Sequence, residues 1–428
     1  MPASSANHSP RFAALPLTLI LCGVAHAQNF PTGKAFDLTV GVNSGYQPST
    51  DMIVGGTQSP TVGYTTVSEL FDNANTAGFS RINSSYNNTS ASVIRMGYRG
   101  LPLTVTTNAG SPAVTFMVPV LNQTKLFNSK PTRDENVADL RQYLKSSGGD
   151  VLNQINQQLA KSSPIDPVAG NPNSLQSLMV AGDFDRSFTQ FATNVRESGG
   201  QSSNLIGVGA SFGSFQQGGL TNQSLTLPFS YTIRSDLDPR RQLTIYAPVS
   251  VSTVAGARSY AANLGVSYRV PMNDEWALTP GFGYGISGSA DLGSAASMLA
   301  ASVTSQYTLR REGYDLAFGN TVGMYQSRKL SLSGYSFDPG IKNTVFRNGV
   351  LLSMPTMAFG QKMSYEVSFI NTLYTGTALY SKQYNEIGVT LGTNKSANSA
   401  RGYLRTGASY LQGQNGIKGF KLNVGYWF

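Results

Sequence analysis

The sequence is short of the residues that most protein chemistry depends on. It has one cysteine, Cys22, and two histidines, His8 and His26. All three lie in a leader that reads as an export signal. Arg11 precedes a short apolar run from Ala13 to Ala25, and Ala25-His26-Ala27 offers small residues at the positions a signal peptidase reads. That run is too short to span a bilayer as a helix. Leu21, immediately before Cys22, disfavours a lipidated cysteine. With residues 1–27 removed, the chain holds no Cys and no His. That excludes disulfides, thiolate nucleophiles, Cys/His metal sites and any Ser-His-Asp triad. Charge is scarce as well, at 12% of residues, and mean hydropathy is -0.15, which excludes a bundle of membrane helices. The paired acids Asp183/Asp185, Asp236/Asp238 and Asp274/Glu275 read as helix-end and turn acids, without the full ligand set of a calcium loop. No catalytic, cofactor-binding or metal-binding residue is therefore expected, and the chain is not expected to be an enzyme.

What the sequence does have is glycine (45), tyrosine (21) and phenylalanine (21), arranged in alternation. At the C-terminus Phe420, Leu422, Val424, Tyr426 and Phe428 alternate with Lys421, Asn423, Gly425 and Trp427, a strict period of two with one apolar face. Working backwards, similar runs cover Gly402–Leu411, Asn385–Leu391, Met363–Leu373, Lys342–Met354, Tyr314–Tyr325, Ser297–Leu309, Ala277–Ile286, Leu264–Tyr268, Gln242–Val251, Leu225–Ile233 and Leu205–Phe215. Twelve such segments, each long enough for a tilted strand to cross the hydrocarbon, predict a transmembrane β-barrel. Tight turns at Ser235–Pro239, Pro271–Asp274 and Arg310–Gly313 fall at every second junction. Longer segments, Ser287–Ala296 and Gln326–Gly340, lie between them. The junctions Pro355–Lys362 and Thr393–Arg401 are longer than that alternation prefers. Gly281-Phe282-Gly283-Tyr284-Gly285 lacks the Lys-Ser/Thr of a phosphate loop and reads as glycines packed in a barrel wall.

The N-terminal half differs. Residues 29–90 are rich in Gly, Ser, Thr and Asn, and strands are expected at 91–98, 101–107 and 113–121. Thr132 and Glu135 have capping-box spacing before a helix, and Asp150 can cap a second one. Pro164, Pro167 and Pro172 mark a linker, and Ser174 opens an amphipathic helix, Leu175–Ala192, just ahead of the first barrel strand.

A helix, twelve strands and a terminal Phe428 resemble the autotransporter-like bacterial outer-membrane barrels, over 174–428. The stretch Ala257–Leu309, with Tyr-Arg-Val-Pro-Met-Asn-Asp-Glu-Trp turning between two strands, is most similar to the solitary, short-passenger members. The resemblance implies a helix in the pore, an N-terminal segment outside the cell, and Tyr426 and Phe428 as an assembly signal read by the barrel-assembly machinery and periplasmic chaperones. The chain departs from the family in that 28–172 is short and has no β-solenoid repeat. The expected class is mainly β: a 12-stranded antiparallel transmembrane β-barrel (201–428) with a small α+β N-terminal domain (28–172) and a preceding helix (173–200), located in the Gram-negative outer membrane.

Alternation turns Arg269, Arg347, Arg405 and Lys421 into the lumen together with Glu366 and Glu386. Residues 201–428 carry 18 bases against 10 acids, whereas 28–200 are balanced at 12 each. Two readings follow. In one, the barrel anchors and presents its N-terminal domain at the cell surface. In the other, it is a plugged, porin-like channel with anion preference. Outer-membrane lipid is the expected partner. No nucleic acid and no small-molecule substrate is expected, since export and a localised excess of charge argue against the first and nothing identifies the second.

Overall fold

The computed structural model describes residues 30–143, 149–188, 204–332, 335–393 and 403–427. The export signal and Phe428 lie outside them. Twelve strands form the C-terminal half: β1 (Leu205–Gln217), β2 (Leu220–Leu227 and Phe229–Arg234), β3 (Gln242–Tyr246 and Val249–Val254), β4 (Ala257–Pro271), β5 (Trp276–Ser289), β6 (Ser294–Arg311), β7 (Tyr314–Arg328), β8 (Lys342–Ala358), β9 (Gln361–Gly376), β10 (Gln383–Thr393), β11 (Tyr403–Gly413) and β12 (Lys418–Trp427). Pro228 and Pro248 interrupt β2 and β3, as expected for residues that cannot donate to a ladder. Each strand pairs antiparallel with the next, and β12 returns to β1 from Gly207↔Trp427 to Gln216↔Lys418. The sheet is thus a closed barrel with no free edge.

The alternation read in the sequence sets which face meets lipid. Leu264, Phe282, Val322, Ile387, Phe420 and Leu422 point outward, and each is about half exposed. Their neighbours Asn263, Gly265, Gly283, Thr321, Gly323, Glu386, Gly388 and Gly419 are buried inside. No described helix is long and apolar enough to cross a membrane. Tyr231, Tyr268, Tyr307, Tyr314, Tyr365 and Tyr426 ring the outer face near the end where β1 begins and β12 finishes. We call that end the lower rim and the other the upper rim. An apolar band bordered by aromatics is what a membrane-spanning barrel requires.

Loop lengths depart from expectation. The upper junctions after β1, β3 and β5 are as tight as the lower ones: Gly218-Gly219, Ala255-Gly256 and 290–293. Residues 287–296 are mostly strand. The 355–362 junction is a two-residue turn, Phe359-Gly360, with φ of 52° and 72°, joining strands that run on beyond the membrane band. A folded domain sits on these tight upper junctions; the upper junction after β7, 329–341, is longer and carries a short hairpin, 330–332 with 335–337.

That domain is a seven-stranded antiparallel sheet. Its main path runs 57–58, 36–42, 92–98, 101–107, 114–118, 123–127, with 62–64 pairing beside 36–42. Helices Val67–Asn73, Thr76–Ile82, Arg133–Gln142 and Gly149–Ser162 cover it. The expected capping box at Thr132 forms, with Glu135 reaching back to the Thr132 amide. The central strand, Phe36–Val42, went unread in the sequence. Phe36, Leu38, Val40 and Val42 alternate with Asp37, Thr39 and Gly41, but this short run stands alone in a stretch rich in Gly, Ser, Thr and Asn. Phe36, Leu38, Ile94, Phe116 and Leu159 form one core with Leu220, Val254, Ala257 and Leu292 from the upper rim. The Val67 amide donates to the Asp291 carbonyl at 2.7 Å. The domain and the rim share their hydrophobic interior.

Candidate functional site: the stoppered lumen

Between the cap domain and the barrel, residues 163–177 are buried without exception. The linker marked by the three prolines is a buried neck. Burying a loop requires every backbone polar group to find a partner. Pro164, Pro167 and Pro172 help because they carry no N–H to satisfy. Asp166 Oδ1 accepts from the amides of Val168 (2.8 Å) and Ala169 (3.1 Å), and Asn171 Nδ2 donates to the Asp166 carbonyl at 2.6 Å. The Leu175 amide donates to the Pro167 carbonyl, and the Ser381 amide to that of Gly170. Asp166 Oδ2 accepts from Arg99 Nη1 at 3.1 Å, a fully buried ion pair, and Arg99 also donates to Asn156. The cap therefore grips the neck from above.

Below the neck, Ser174 caps the lumen helix, Leu175–Ser187, by accepting from the Ser177 amide. Leu175 and Met179 pack near the upper end with Ala296, Met298 and Tyr325, whereas Phe184 and Phe188 pack lower, with Ala317, Leu351 and Ile370. The chain thus enters at the capped end and descends toward the end where β1 starts. Residues 189–192 of the expected helix lie outside the described residues.

The wall is cut back where the helix presses on it. A Cβ at Gly285 would stand 2.7 Å from Met179 Sδ, one at Gly319 2.5 Å from the Phe188 ring, and one at Gly349 2.8 Å from the Phe184 ring. Gly283 and Gly285 are thus wall glycines under the helix and Tyr246, as the sequence suggested. One polar clamp fixes the rotation of the helix. Asp183 accepts from Tyr246 at 3.0 Å, from Tyr325 at 2.7 Å and from Arg186 at 2.7 Å, and the Arg186 guanidinium lies over the Tyr246 ring. Strands β3 and β7 are thereby tied to one helical turn. Nothing in the sequence singled out Tyr246 or Tyr325; only the packed helix reveals them.

Of the six charged residues read as lumen-lining, Arg269, Arg347, Glu366 and Glu386 are buried, and Arg405 and Lys421 are half-buried. Arg405 pairs with Glu366. Arg347 pairs with Glu386 at 3.4 Å and approaches Asp185 of the lumen helix at 4.0 Å, and Lys421 reaches Glu386 at 3.6 Å. Ser409 donates to Glu386 and Thr372 accepts from Arg347. Arg269 donates to Gln306 near the lower rim. Tyr426 faces outward on the last strand. Asp183 and Asp185 serve the clamp and the charge cluster. Among the described residues no group of His, Cys, Asp or Glu could hold a metal ion. At the lower rim Arg240 bonds both oxygens of Asp238, which holds that carboxyl below the usual carboxylate range, and reaches Asp274 at 2.7 Å. The helix lies against β4 to β8, leaving a cavity of about 280 Å³ on the side of β1, β2 and β10 to β12. Small residues such as Gly209, Ser224, Gly388 and Ala408 line it, and Pro172 and Asn173 border it at the neck.

No protein-family model matches the chain, and no curated protein does. Solved structures do. The β domain of the Bordetella autotransporter BrkA is 11% identical, covering 53% of this chain and 98% of its own, with a TM-score of 0.42. The translocator domain of the autotransporter NalP from Neisseria meningitidis is 12% identical, covering 59% and 98%, with a TM-score of 0.41. A KdgM porin in complex with disordered oligogalacturonate is 10% identical, covering 52% and 98%, with a TM-score of 0.32. The chain's own geometry is a closed twelve-stranded antiparallel β-barrel with an apolar outer wall and a helix that enters its lumen from the capped end.

Proposed function

We propose that this outer-membrane barrel anchors its N-terminal domain on the outer face of the cell and keeps its own pore shut. One observation carries the reading. The cap and neck sit on the upper rim, opposite the end where β1 begins and β12 finishes. With the two ends of the barrel on the periplasmic side, the cap would face outward, and this reading rests on that orientation. The luminal charges favour a filled interior over the anion-selective pore, because Arg347, Arg405 and Lys421 each have a carboxylate partner. The chain without its leader has no cysteine, so single cysteines report position cleanly. With Ala109→Cys in an exposed loop of the cap and Asp236→Cys in a lower turn, a membrane-impermeant thiol reagent on intact cells should label the first and spare the second. Labelling of Asp236→Cys with Ala109→Cys protected would refute the proposal.

A further inference from the structure

Among the described rim residues the balance of charge differs between the two ends. At the upper rim Arg258, Arg328, Lys329, Lys342, Lys382 and Lys418 are exposed, against Asp291 and Asp338. Among the described residues around the lower rim, Arg234, Arg240, Arg241, Arg310, Arg311 and Lys362 are matched in number by Asp236, Asp238, Asp274, Glu275, Glu312 and Asp315. The two rims also differ in pairing. Below, Arg240 binds Asp238 and Asp274, and Arg310 donates to the Asp274 carbonyl. Above, none of the six basic side chains has an ion pair among the described residues. Six exposed bases against two acids on one edge repel one another, and an external anion lowers that cost.

The setting specifies which anion. Four of these bases continue an outward, lipid-facing strand face. Lys418 stands two residues above Phe420, and Arg258 two above Tyr260. Arg328 lies four beyond Met324, and Lys342 four before Phe346. The four apolar partners are all exposed on the outer wall. Five of the bases fall on the arc from β7 to β12, where the cap touches through helix Gly149–Ser162, at 335–338 and Tyr380, and the shared hydrophobic core sits on the tips of β1 to β6. A ligand carrying acyl chains and phosphate would meet both surfaces at once; a soluble anion would use only half of each site.

We propose that the upper rim binds phosphate-bearing lipid headgroups, through an arc of Arg328, Lys329, Lys342, Lys382 and Lys418 with Arg258 as an outlying contact. This rests on the barrel being embedded in lipid, but not on which face of the cell the cap occupies. The test uses the full chain in phosphatidylcholine nanodiscs containing a bis-phosphorylated disaccharide glycolipid, or its dephosphorylated form. Native mass spectrometry counts the glycolipid retained. The wild-type protein should retain the phosphorylated form selectively. Arg258→Gln/Arg328→Gln/Lys342→Gln/Lys418→Gln should lose it, by roughly five-fold in affinity per charge removed at low salt. Arg240→Gln/Arg310→Gln/Arg311→Gln at the lower rim should retain it. Equal retention by the upper-rim variant, equal loss by the lower-rim variant, or full displacement by inorganic phosphate would overturn the proposal. The cysteine-labelling result is independent of all three outcomes.

Discussion

Two buried residues carry the heaviest consequences if altered. Arg99 is wholly enclosed and neutralises Asp166 inside the neck. Arg99→Met leaves a buried carboxylate unpaired, which costs about 3–5 kcal/mol, whereas Arg99→Met with Asp166→Leu removes both charges and should recover part of that. Trypsin cutting at the exposed Lys161 reports the loosening: a faster cut in the single variant and a slower one in the double. Asp183 is the second residue. Asp183→Leu strands the hydroxyls of Tyr246 and Tyr325 and the Arg186 guanidinium, at about 1–3 kcal/mol for each buried group left without a partner. Heat-induced gel-mobility transitions should shift to lower temperature for Asp183→Leu and less far for Asp183→Asn, which keeps one acceptor oxygen but loses the charge facing Arg186. An unchanged midpoint in the leucine variant would contradict the clamp.

Among the elements, the lumen helix depends on the wall as much as on itself. Gly319 and Gly349 give Phe188 and Phe184 somewhere to rest, and no L side chain fits there without moving the helix. Gly349→Leu should therefore lift the lower end of the helix and expose Arg186 to trypsin from that side, while Gly360→Ala in an open turn should not. The twelve strands were legible because lipid on one side and packed protein on the other impose a period of two. The helix was legible from Ser174 and its apolar spacing. The neck was not, because proline reads as a loop signal whether the loop is exposed or buried. What buries it is a set of Asx-type bonds from Asp166 and Asn171, and those residues look the same in an exposed turn. The inward-facing charges were legible by alternation, but their pairing was not. Glu366 and Arg405 stand on strands separated by one, and Glu386 meets Arg347 two strands away.

For the whole molecule, cap, neck and helix behave as one stopper built from residues 30–188. A shared core joins the cap to the rim, an ion pair joins the cap to the neck, and glycine-backed packing joins the helix to the wall. The tight upper junctions make sense in that context, since long loops over the mouth would compete with the domain seated there. Planar-bilayer recording of the full chain tests this most directly. The stopper predicts a membrane that stays electrically silent with the wild-type chain and shows discrete openings with Asp183→Leu/Gly349→Leu. Steady openings of the wild-type chain, equal in size and frequency to those of the double variant, would contradict it.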